Sequence, residues 1–268
     1  MFPSEMNPRS CADVFLVPMF SDNYGHILVD RTTNKAALID PADCDPVIKA
    51  VKSMGLDVEM VLITHKHSDH CGGNDGVKRA YPSVRILGPG YEPIPGATES
   101  VHDGDAIALG NLMISVIHTP CHTKGHVGYF VTPTSSGDDA GGTSPVLFPG
   151  DTLFVGGCGR FFEGTAADML HNMDTFAKLP PETQVFCAHE YTVSNLKFLA
   201  SVDPECGKVL DEMQDTRRQG LPTVPSTIGK ELTYNLFMKT REPRVQSLVG
   251  TGSAEETMAR LREMKNTF

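Results

Sequence analysis

The segment VLITHKHSDHCGGN, residues 61–74, constrains this chain more than any other part of its sequence. Three histidines and an aspartate fall within six residues there, directly after an apolar run. Imidazoles and carboxylates packed this densely are typical of metal sites. A single histidine after a strand is most often a hydrogen-bonded surface residue, so a metal site requires further ligands from elsewhere in the chain.

Length and composition indicate a globular protein. The 268 residues, 40% of them hydrophobic and 21% charged, suffice for one large domain or for a main domain with a smaller appendage. No apolar run approaches the ~18 residues that a membrane span needs. The net charge of −10 disfavours nucleic acids and anionic membranes as partners. We therefore expect a monomer that acts on a small molecule, and an anionic substrate requires a locally basic pocket.

Cysteine usage and the N-terminal residues bear on cellular location. The seven cysteines are odd in number and scattered, without a CxxC pair, which indicates reduced thiols. The first residues lack the charged start and apolar core of a secretory signal. We expect a cytoplasmic protein, with a mitochondrial form as the alternative.

Residues 1–187 are predicted to form an α/β domain. Short apolar runs that end in polar or glycine-rich loops read as strands of a buried sheet. These runs are HILVD, AALIDP, EMVLITH, VRILGP, LMISVIHTP, PVLFPGD and TQVFCAHE. Between them, DPVIKAVKSMG and TAADMLHNMDTFAKLP have helical patterns. The stretch Thr132–Pro145 is rich in Gly, Ser and Thr and predicts a surface loop.

Residues 188–268 are predicted to form a helical domain. Helical patterns recur in TVSNLKFLASV, ECGKVLDEMQDTRRQG and SAEETMARLREMKNTF. The last of these begins with a capping box, Ser253 followed three residues later by Glu256. The proline-containing stretch GLPTVPSTIGKE, residues 220–231, predicts a loop.

Candidate metal ligands recur at the ends of apolar runs. His65 follows VLIT, Asp151 follows VLFPG, His189 follows QVFCA, and His122 lies just past ISVIHTPC. The carboxyl ends of strands are where an α/β sheet leaves its crevice for ligands. The four segments therefore predict one site.

Seven residues supply enough ligands for two divalent ions. Each ion would have three ligands of its own and share one aspartate, with room left for a water molecule. An imidazole-rich set suits Zn²⁺, and the mixed nitrogen and oxygen donors also suit Fe or Mn. The predicted ligands are His65, His67 and His122 for one ion, Asp69, His70 and His189 for the other, and Asp151 as the bridge.

Several longer motifs identify a family. THKHSDH, together with the downstream His122, Asp151 and His189, resembles the metallo-β-lactamase superfamily. The resemblance narrows to the glyoxalase II (hydroxyacylglutathione hydrolase) family and runs from about Val14 to Phe268. The motifs that carry it are SDNYGHILVD, TPCHTKGH, GDTLFVGGCGRFFEGTAADM, AHEYTVSNLKF, PTVPST and MARLREMKNTF.

The resemblance implies a fold and a reaction. The fold would be a four-layer αββα sandwich followed by a helical domain, with a binuclear metal centre. The reaction would be hydrolysis of S-D-lactoylglutathione to glutathione and D-lactate, the second step of methylglyoxal detoxification. A hydroxide held between the ions would attack the thioester, with Asp69 and Asp151 in catalytic roles.

Four positions match family contacts to glutathione or lie beside them. Arg262 and Lys265, three residues apart on the last helix, correspond to a glutathione-binding pair. Tyr191 corresponds to a further contact, and His189 lies two residues before it. Without the resemblance, the Arg262 and Lys265 pair would read as a solvated helix face.

Two substrate-binding positions depart from the family pattern. Arg160 stands where lysine is frequent, and Phe162 stands where tyrosine is frequent. Arg160 keeps the positive charge but is not equivalent to lysine. Phe162 lacks a hydroxyl, and the lost hydrogen bond corresponds to about 1 kcal/mol of binding energy.

Three other functions remain as alternatives. A persulfide dioxygenase of the same superfamily would use one iron on the first ligand set. A trypanothione thioesterase would be expected to lack the Arg262 and Lys265 pair. A metal-stabilised protein without activity would be expected to lack at least one ligand.

Overall fold

A computed structural model describes residues 2–3, 10–134 and 143–268 of the chain. It divides into two compact units, which are described separately below. Unit 1 comprises Met1–His118 and Gly125–Gly150, and unit 2 comprises Thr119–Lys124 and Asp151–Phe268. The domain boundary predicted after residue 187, from the change to helical patterns, differs from the division between these two units and stays a prediction. Most of the predicted loop Thr132–Pro145 lies outside the described residues.

The first sheet of unit 1 has seven strands in sequential order. Neighbouring strands are antiparallel from β1 to β4 and parallel from β4 to β7. Every residue of β3 is buried, as expected for a strand inside a sheet. The strands are β1 (Phe2–Pro3), β2 (Asp13–Met19), β3 (Asn23–Val29), β4 (Lys35–Ile39), β5 (Asp57–Leu62), β6 (Arg85–Pro89) and β7 (Glu99–Val101).

The described residues of unit 1 contain three helices: α1 (Cys44–Met54), α2 (Ser68–Cys71) and α3 (Asn74–Ala80). The side chain of Asp43 caps the start of α1, and Gly55 ends it in the left-handed conformation. Apolar side chains of α1, α3 and the sheet form one buried cluster. This cluster fixes the strand ends from which the candidate ligands emerge.

The second group of strands in unit 1 is antiparallel throughout: β8 (Ala106–Leu109), β9 (Leu112–His118), β10 (Val127–Pro133) and β11 (Val146–Phe148). Buried and exposed residues alternate along β8, as in a strand with one buried face. The ends of β9 and β11 lead into the segments that carry two of the candidate ligands.

Unit 2 is mainly helical and has two short antiparallel ladders. The ladders join β12 (Leu153–Phe154) to β13 (Gly157–Cys158), and β14 (Gln184–Val185) to β15 (Ser226–Thr227). Two 3₁₀ turns, Pro204–Cys206 and Leu236–Met238, connect helices. The helices are α4 (Ala166–Phe176), α5 (Thr192–Val202), α6 (Gly207–Arg218), α7 (Ile228–Tyr234), α8 (Pro243–Val249) and α9 (Ala254–Thr267).

Most of the predicted elements are present. Each of the seven apolar runs contains a strand, although TQVFCAHE contributes only Gln184–Val185, and the five predicted helices are α1, α4, α5, α6 and α9. The loop predicted for residues 220–231 is wrong, because β15 and the start of α7 lie within it. Thr227 caps α7 by accepting a hydrogen bond from the backbone N–H of Lys230. Across the described residues, no helix has the length and apolar character needed to cross a membrane.

The predicted capping box of α9 forms in modified form. The hydroxyl of Ser253 accepts a hydrogen bond from the backbone N–H of Glu256. The carboxylate of Glu256 accepts from Gly252 rather than from Ser253. Both hydrogen bonds satisfy backbone donors at the start of the helix, which later carries Arg262 and Lys265.

We predict that Ser253→Ala destabilises α9 by about 1 kcal/mol, because it removes the N-cap acceptor. Native-state hydrogen exchange of the α9 amides measures this local opening. Glu255→Ala, a change in the same helical turn at a residue that does not cap the helix, serves as the control and should cost less than about 0.5 kcal/mol. Equal exchange rates in the two variants would contradict the prediction.

Candidate metal centre

Unit 1 brings together the four ligand candidates of the segment His65–His70. β5 ends at Leu62, so the segment begins three residues past the strand, and α2 starts within it. The ligand atoms of His65 lie within 4.8 Å of those of His67 and His70, and those of Asp69 and His70 are equally close. His65 and His70 are buried, whereas His67 and Asp69 are partly exposed.

Asp40 orients this cluster from the end of β4. Its Oδ2 lies 2.9 Å from Nδ1 of His70 and accepts from the Thr64 hydroxyl at 2.7 Å. Its Oδ1 accepts from the Thr64 backbone N–H at 2.8 Å. A carboxylate only accepts, so Nδ1 of His70 carries the proton and Nε2 is the nitrogen suited to ligation.

Glu92 fixes the backbone next to the same histidines. Its buried carboxylate accepts from the backbone N–H of Lys66 at 2.9 Å and of Gly125 at 3.1 Å. The ring of His126, which is fully buried, stacks on His65 with centroids 4.8 Å apart. His126 thus lies beside a ligand candidate and supports its ring.

Unit 2 brings together the other three ligand candidates around one carboxylate. Oδ2 of Asp151 lies 3.4 Å from Nε2 of His122, and Oδ1 lies 3.4 Å from Nε2 of His189. All three side chains are buried. Because each oxygen faces a different imidazole, the arrangement is suited to a carboxylate shared by two ions.

The tautomer of His122 is set by a backbone carbonyl. Nδ1 of His122 lies 3.0 Å from the carbonyl oxygen of Arg160. Since a carbonyl only accepts, Nδ1 carries the proton, and Nε2 faces Asp151 with its lone pair.

The loop that carries His122 is held by side chains of the same unit. Asn172 on α4 donates to the carbonyl of Pro120 at 3.0 Å. The Glu163 carboxylate accepts from the backbone N–H of Lys124 at 2.8 Å. This short segment therefore belongs to unit 2, although β9 and β10 on either side of it belong to unit 1.

The donor chemistry of both clusters fits metal ions. Each cluster combines imidazole nitrogens with carboxylate oxygens, mostly buried, and hydrogen bonds orient His70 and His122 in the manner usual for metal-ligating histidines. The chain thus contains histidine and aspartate clusters suited to binding metal ions.

Three of the predicted substrate-binding residues line one cavity of unit 2. The cavity has a volume of about 570 Å³ and lies between the segment that follows β13 and helix α9. Arg160, Phe162 and Arg262 contribute to its wall. Phe162 is 60% exposed, and its ring approaches that of His122 edge to face, with centroids 5.1 Å apart.

Arg262 and Lys265 differ in their surroundings. Arg262 is buried and donates to the carbonyl of Cys158 at 2.8 Å. Lys265 donates to the backbone carbonyl and the hydroxyl of Ser194 at 3.0 and 3.2 Å. Burial, and then the positive charges of Arg262 and Arg160, lower the pKa of Lys265 to about 8.

Tyr191 and His189 form a stacked pair, and neither is among the residues that line the cavity. Their rings are nearly parallel, 8° apart, with centroids separated by 4.6 Å. Phe154 meets both rings edge to face. The stack holds the His189 ring in place, and contact of Tyr191 or His189 with a substrate stays a prediction.

Asp40, Glu92 and Asn172 are the supporting residues that the sequence analysis missed. Asp40 ends the run AALID and so obeys the strand-end rule that located the ligands. Glu92 and Asn172 lie in a loop and on a helix, where nothing in the sequence marks them.

We predict that Asp40→Asn weakens metal binding about 10- to 100-fold, the usual effect of removing a partner that orients a ligand. Asp40 has a positive φ of 47°, which asparagine also tolerates, so the backbone should be unaffected. The substitution replaces a carboxylate oxygen that accepts hydrogen bonds from His70 and Thr64. Competition with a chromophoric chelator measures the affinity.

Asp43→Asn makes the same chemical change three residues away and retains a good helix cap, so it should bind metal like the parent. A folded Asp40→Asn protein with parental affinity would overturn the role assigned to Asp40.

Comparisons with known proteins agree over nearly the whole chain. A model of the metallo-beta-lactamase superfamily matches residues 26–189, and a model described as hydroxyacylglutathione hydrolase C-terminus matches residues 190–268. The curated cytoplasmic hydroxyacylglutathione hydrolase of Arabidopsis thaliana is 42% identical over 95% of this chain and 98% of its own length. The hydroxyacylglutathione hydrolase of Synechocystis sp. is 39% identical over 96% of this chain and 100% of its own length.

Among solved structures, ETHE1 from Myxococcus xanthus superposes with a TM-score of 0.63 at 24% identity, covering 93% of this chain and 90% of that chain. At this identity the likeness concerns the fold alone. The predicted metallo-β-lactamase fold with a C-terminal helical domain is confirmed. The chain belongs to the hydroxyacylglutathione hydrolase family of the metallo-β-lactamase superfamily.

Proposed function

We propose that the protein hydrolyses S-2-hydroxyacylglutathiones, with S-D-lactoylglutathione as the principal substrate, to glutathione and the free 2-hydroxy acid. This reaction would be the second step of methylglyoxal detoxification. The observation that carries the proposal is a match to hydroxyacylglutathione hydrolases over nearly the full length of both chains. The match of residues 190–268 to the C-terminal part of that family favours this substrate over a persulfide or a trypanothione thioester.

The proposed cofactor is a pair of divalent ions, with Zn²⁺ as the first candidate and Fe or Mn as alternatives. Bound there, two such ions would supply Lewis acidity, lowering the pKa of water and polarising a thioester carbonyl. The residues proposed to hold them are His65, His67 and His122 on one side, Asp69, His70 and His189 on the other, and Asp151 between them.

The chain's own groups have separate tasks in this proposal. Asp151 offers one oxygen toward each of two imidazoles, with 3.4 Å between the oxygen and the nearest imidazole nitrogen in both cases. His122 and His70 keep their Nδ1 protons on oxygen acceptors, which leaves Nε2 as the ligating atom of each. Asp69, partly exposed, is proposed to orient the attacking water.

Cationic side chains would hold the thiol carrier. Glutathione bears two carboxylates, and Arg160 and Arg262 line one cavity together with Phe162, whose ring contacts that of His122. Arg262 is fixed by Cys158 and by Asn266, whose Oδ1 accepts from its Nε at 3.0 Å. A guanidinium held in this way loses little entropy when it binds a carboxylate.

The leaving group needs little help. A thiolate departs from a carbonyl carbon without a strong general acid, because thiols are far more acidic than alcohols or amines. The absence of a dedicated acid among the predicted residues is therefore compatible with the reaction.

For location and assembly we propose a cytoplasmic monomer. The Arabidopsis relative carries the word cytoplasmic in its name, which supports the location. The net charge of −10 favours a protein that stays dispersed in solution.

We predict rapid thiol release from S-D-lactoylglutathione by the Zn-loaded protein. In the Arg262→Ala/Lys265→Ala variant, KM should rise at least about tenfold with kcat little changed, since each hydrogen bond between charged groups is worth about 1.5–3 kcal/mol. Trapping the released thiol with a chromogenic disulfide gives both constants.

Arg260→Ala removes a third cation of α9, one that pairs with Glu263, and serves as the matched control with unchanged KM. No thiol release from metal-loaded protein would refute the proposed activity. Release with an unaltered KM in the double variant would refute only the role of Arg262 and Lys265.

KM should also depend on pH through Lys265. Its ammonium is lost as the pH rises through about 8, so the attraction for a substrate carboxylate is present below that pH and fades above it. We predict a KM that is flat below pH 8 and rises above it. The Lys265→Arg variant, which stays protonated, should show no such rise; a parallel rise in both proteins would assign the pH effect to another group.

A further inference from the structure

The β12–β13 hairpin, Leu153–Cys158, lies between two functional segments of unit 2. Asp151 comes two residues before it, and Arg160 comes two residues after it. The hairpin therefore determines how far Asp151 and Arg160 stand apart.

Contacts at the open end of the hairpin are close. A Cβ on Gly159 would come within 2.0 Å of the Asp151 carbonyl oxygen and 3.0 Å of Nδ1 of His122, so only glycine fits there. The carbonyl of Arg160 binds His122, and the carbonyl of Cys158 binds Arg262. A shift of this end would thus displace two proposed metal ligands and two cavity residues together.

The tip of the hairpin is held by side chains rather than by further strands. The backbone N–H of Gly156, a residue with a positive φ of 67°, donates to Oε2 of Glu231 at 2.8 Å. Nδ2 of Asn235 donates to the carbonyls of Phe154 and Gly157 at 3.3 and 3.2 Å, and to Glu231 at 3.0 Å. On α5, Nδ2 of Asn195 donates to the Val155 carbonyl at 3.1 Å.

Glu231 and Asn235 are both fully buried. The other oxygen of Glu231 accepts from the hydroxyls of Ser226 and Tyr234. Burial raises the pKa of Glu231, and the hydrogen bonds that it accepts oppose the rise. Burying a carboxylate costs free energy of folding, so a structural or functional role is expected for it. The hydrogen bonds of Glu231 to Gly156 and Asn235 connect it to the hairpin.

We propose that Glu231 and Asn235 are positioning residues that hold the hairpin so that Asp151, His122 and Arg160 keep their mutual geometry. The inference rests on the proposed function only in taking Asp151 and His122 as metal ligands. Neither residue needs to touch the substrate or an ion, because both act through the backbone of residues 154–157.

Three substitutions test the positioning role and separate it from the charge of Glu231. Glu231→Met removes the acceptor for Gly156 while filling nearly the same volume. Glu231→Gln keeps an acceptor on the hairpin side and turns its amide toward two hydroxyls that can accept, so it should behave like the parent. Asn235→Ser removes the hairpin donors but keeps a residue that caps the following 3₁₀ turn, as Asn235 does.

The stability control is Asp203→Asn. It weakens the partly buried ion pair of Asp203 with Arg244, at the start of a 3₁₀ turn in the same unit. It therefore lowers the melting temperature without removing a hydrogen bond to the hairpin.

The first measurement is retention of Zn²⁺ during titration of the purified holoprotein with a chelator. Glu231→Met and Asn235→Ser should release Zn²⁺ at about tenfold lower chelator concentration than the parent, the lower end of the usual effect of losing a supporting group. Glu231→Gln and Asp203→Asn should match the parent. If release instead follows the melting temperature across all four variants, the two residues are merely structural and the inference is wrong.

The second measurement uses metal-free protein and no substrate. Amide exchange of residues 153–158 should accelerate in Glu231→Met and Asn235→Ser and stay parental in Glu231→Gln and Asp203→Asn. Unchanged exchange in the first two variants overturns the inference even if catalysis changes. Failure to hydrolyse thioesters would refute the proposed function without altering either readout, so the two failures are distinguishable.

Discussion

The carboxylate of Asp151, placed between the imidazoles of His122 and His189, is the constraint around which unit 2 is organised. A buried carboxylate is costly unless hydrogen-bond donors or cations offset its charge. Here each oxygen lies 3.4 Å from an imidazole Nε2, and Nε2 of His122 faces it with a lone pair, so a cation between them would offset that cost. To bring His122 there, the chain leaves unit 1 for the six residues Thr119–Lys124 and then returns. Hydrogen bonds to α4 and to the segment after β13 stabilise residues 119–124 in this position. The same hydrogen bonds therefore pack the segment and place His122.

In unit 1 a different buried carboxylate, that of Asp40, organises the candidate ligands. Asp40 accepts three hydrogen bonds at the end of β4 and thereby joins the end of one strand to the ligand segment that follows the next. Since β4 and β5 are parallel neighbours, their carboxyl ends lie side by side, and one short side chain spans the gap. The positive φ at Asp40 is a local strain that this bonding offsets.

The strand-end rule explains why the sequence indicated the candidate ligands but not the residues that support them. Apolar runs bounded by turns mark strands, and a strand's end places its next residues at the crevice, so His65 and Asp151 could be located from pattern alone. Asp40 satisfied the same rule but stood alone in its segment, without the histidines that drew attention to residues 65–70. The helix α7 was missed because prolines and threonines before it read as a loop, although Thr227 is a good cap. The role of Glu231 could not be predicted, since the residue stood at the end of the predicted loop 220–231 and only tertiary packing buries its carboxylate.

Three cationic side chains of unit 2, Arg160, Arg262 and Lys265, repel one another in the unliganded protein. Arg160 and Arg262 line one cavity, and their charges, after burial, depress the pKa of Lys265, so the unliganded fold carries like-charge repulsion there. At physiological salt, screening limits the influence of distant charges to about 8 Å, so the net charge of −10 does not cancel this local field. Such repulsion is relieved by a bound anion, which gains attraction from each cation and raises the pKa of Lys265 again. Two guanidinium groups in the wall of one cavity, which Glu263 also lines, therefore favour an anionic ligand over an apolar one there.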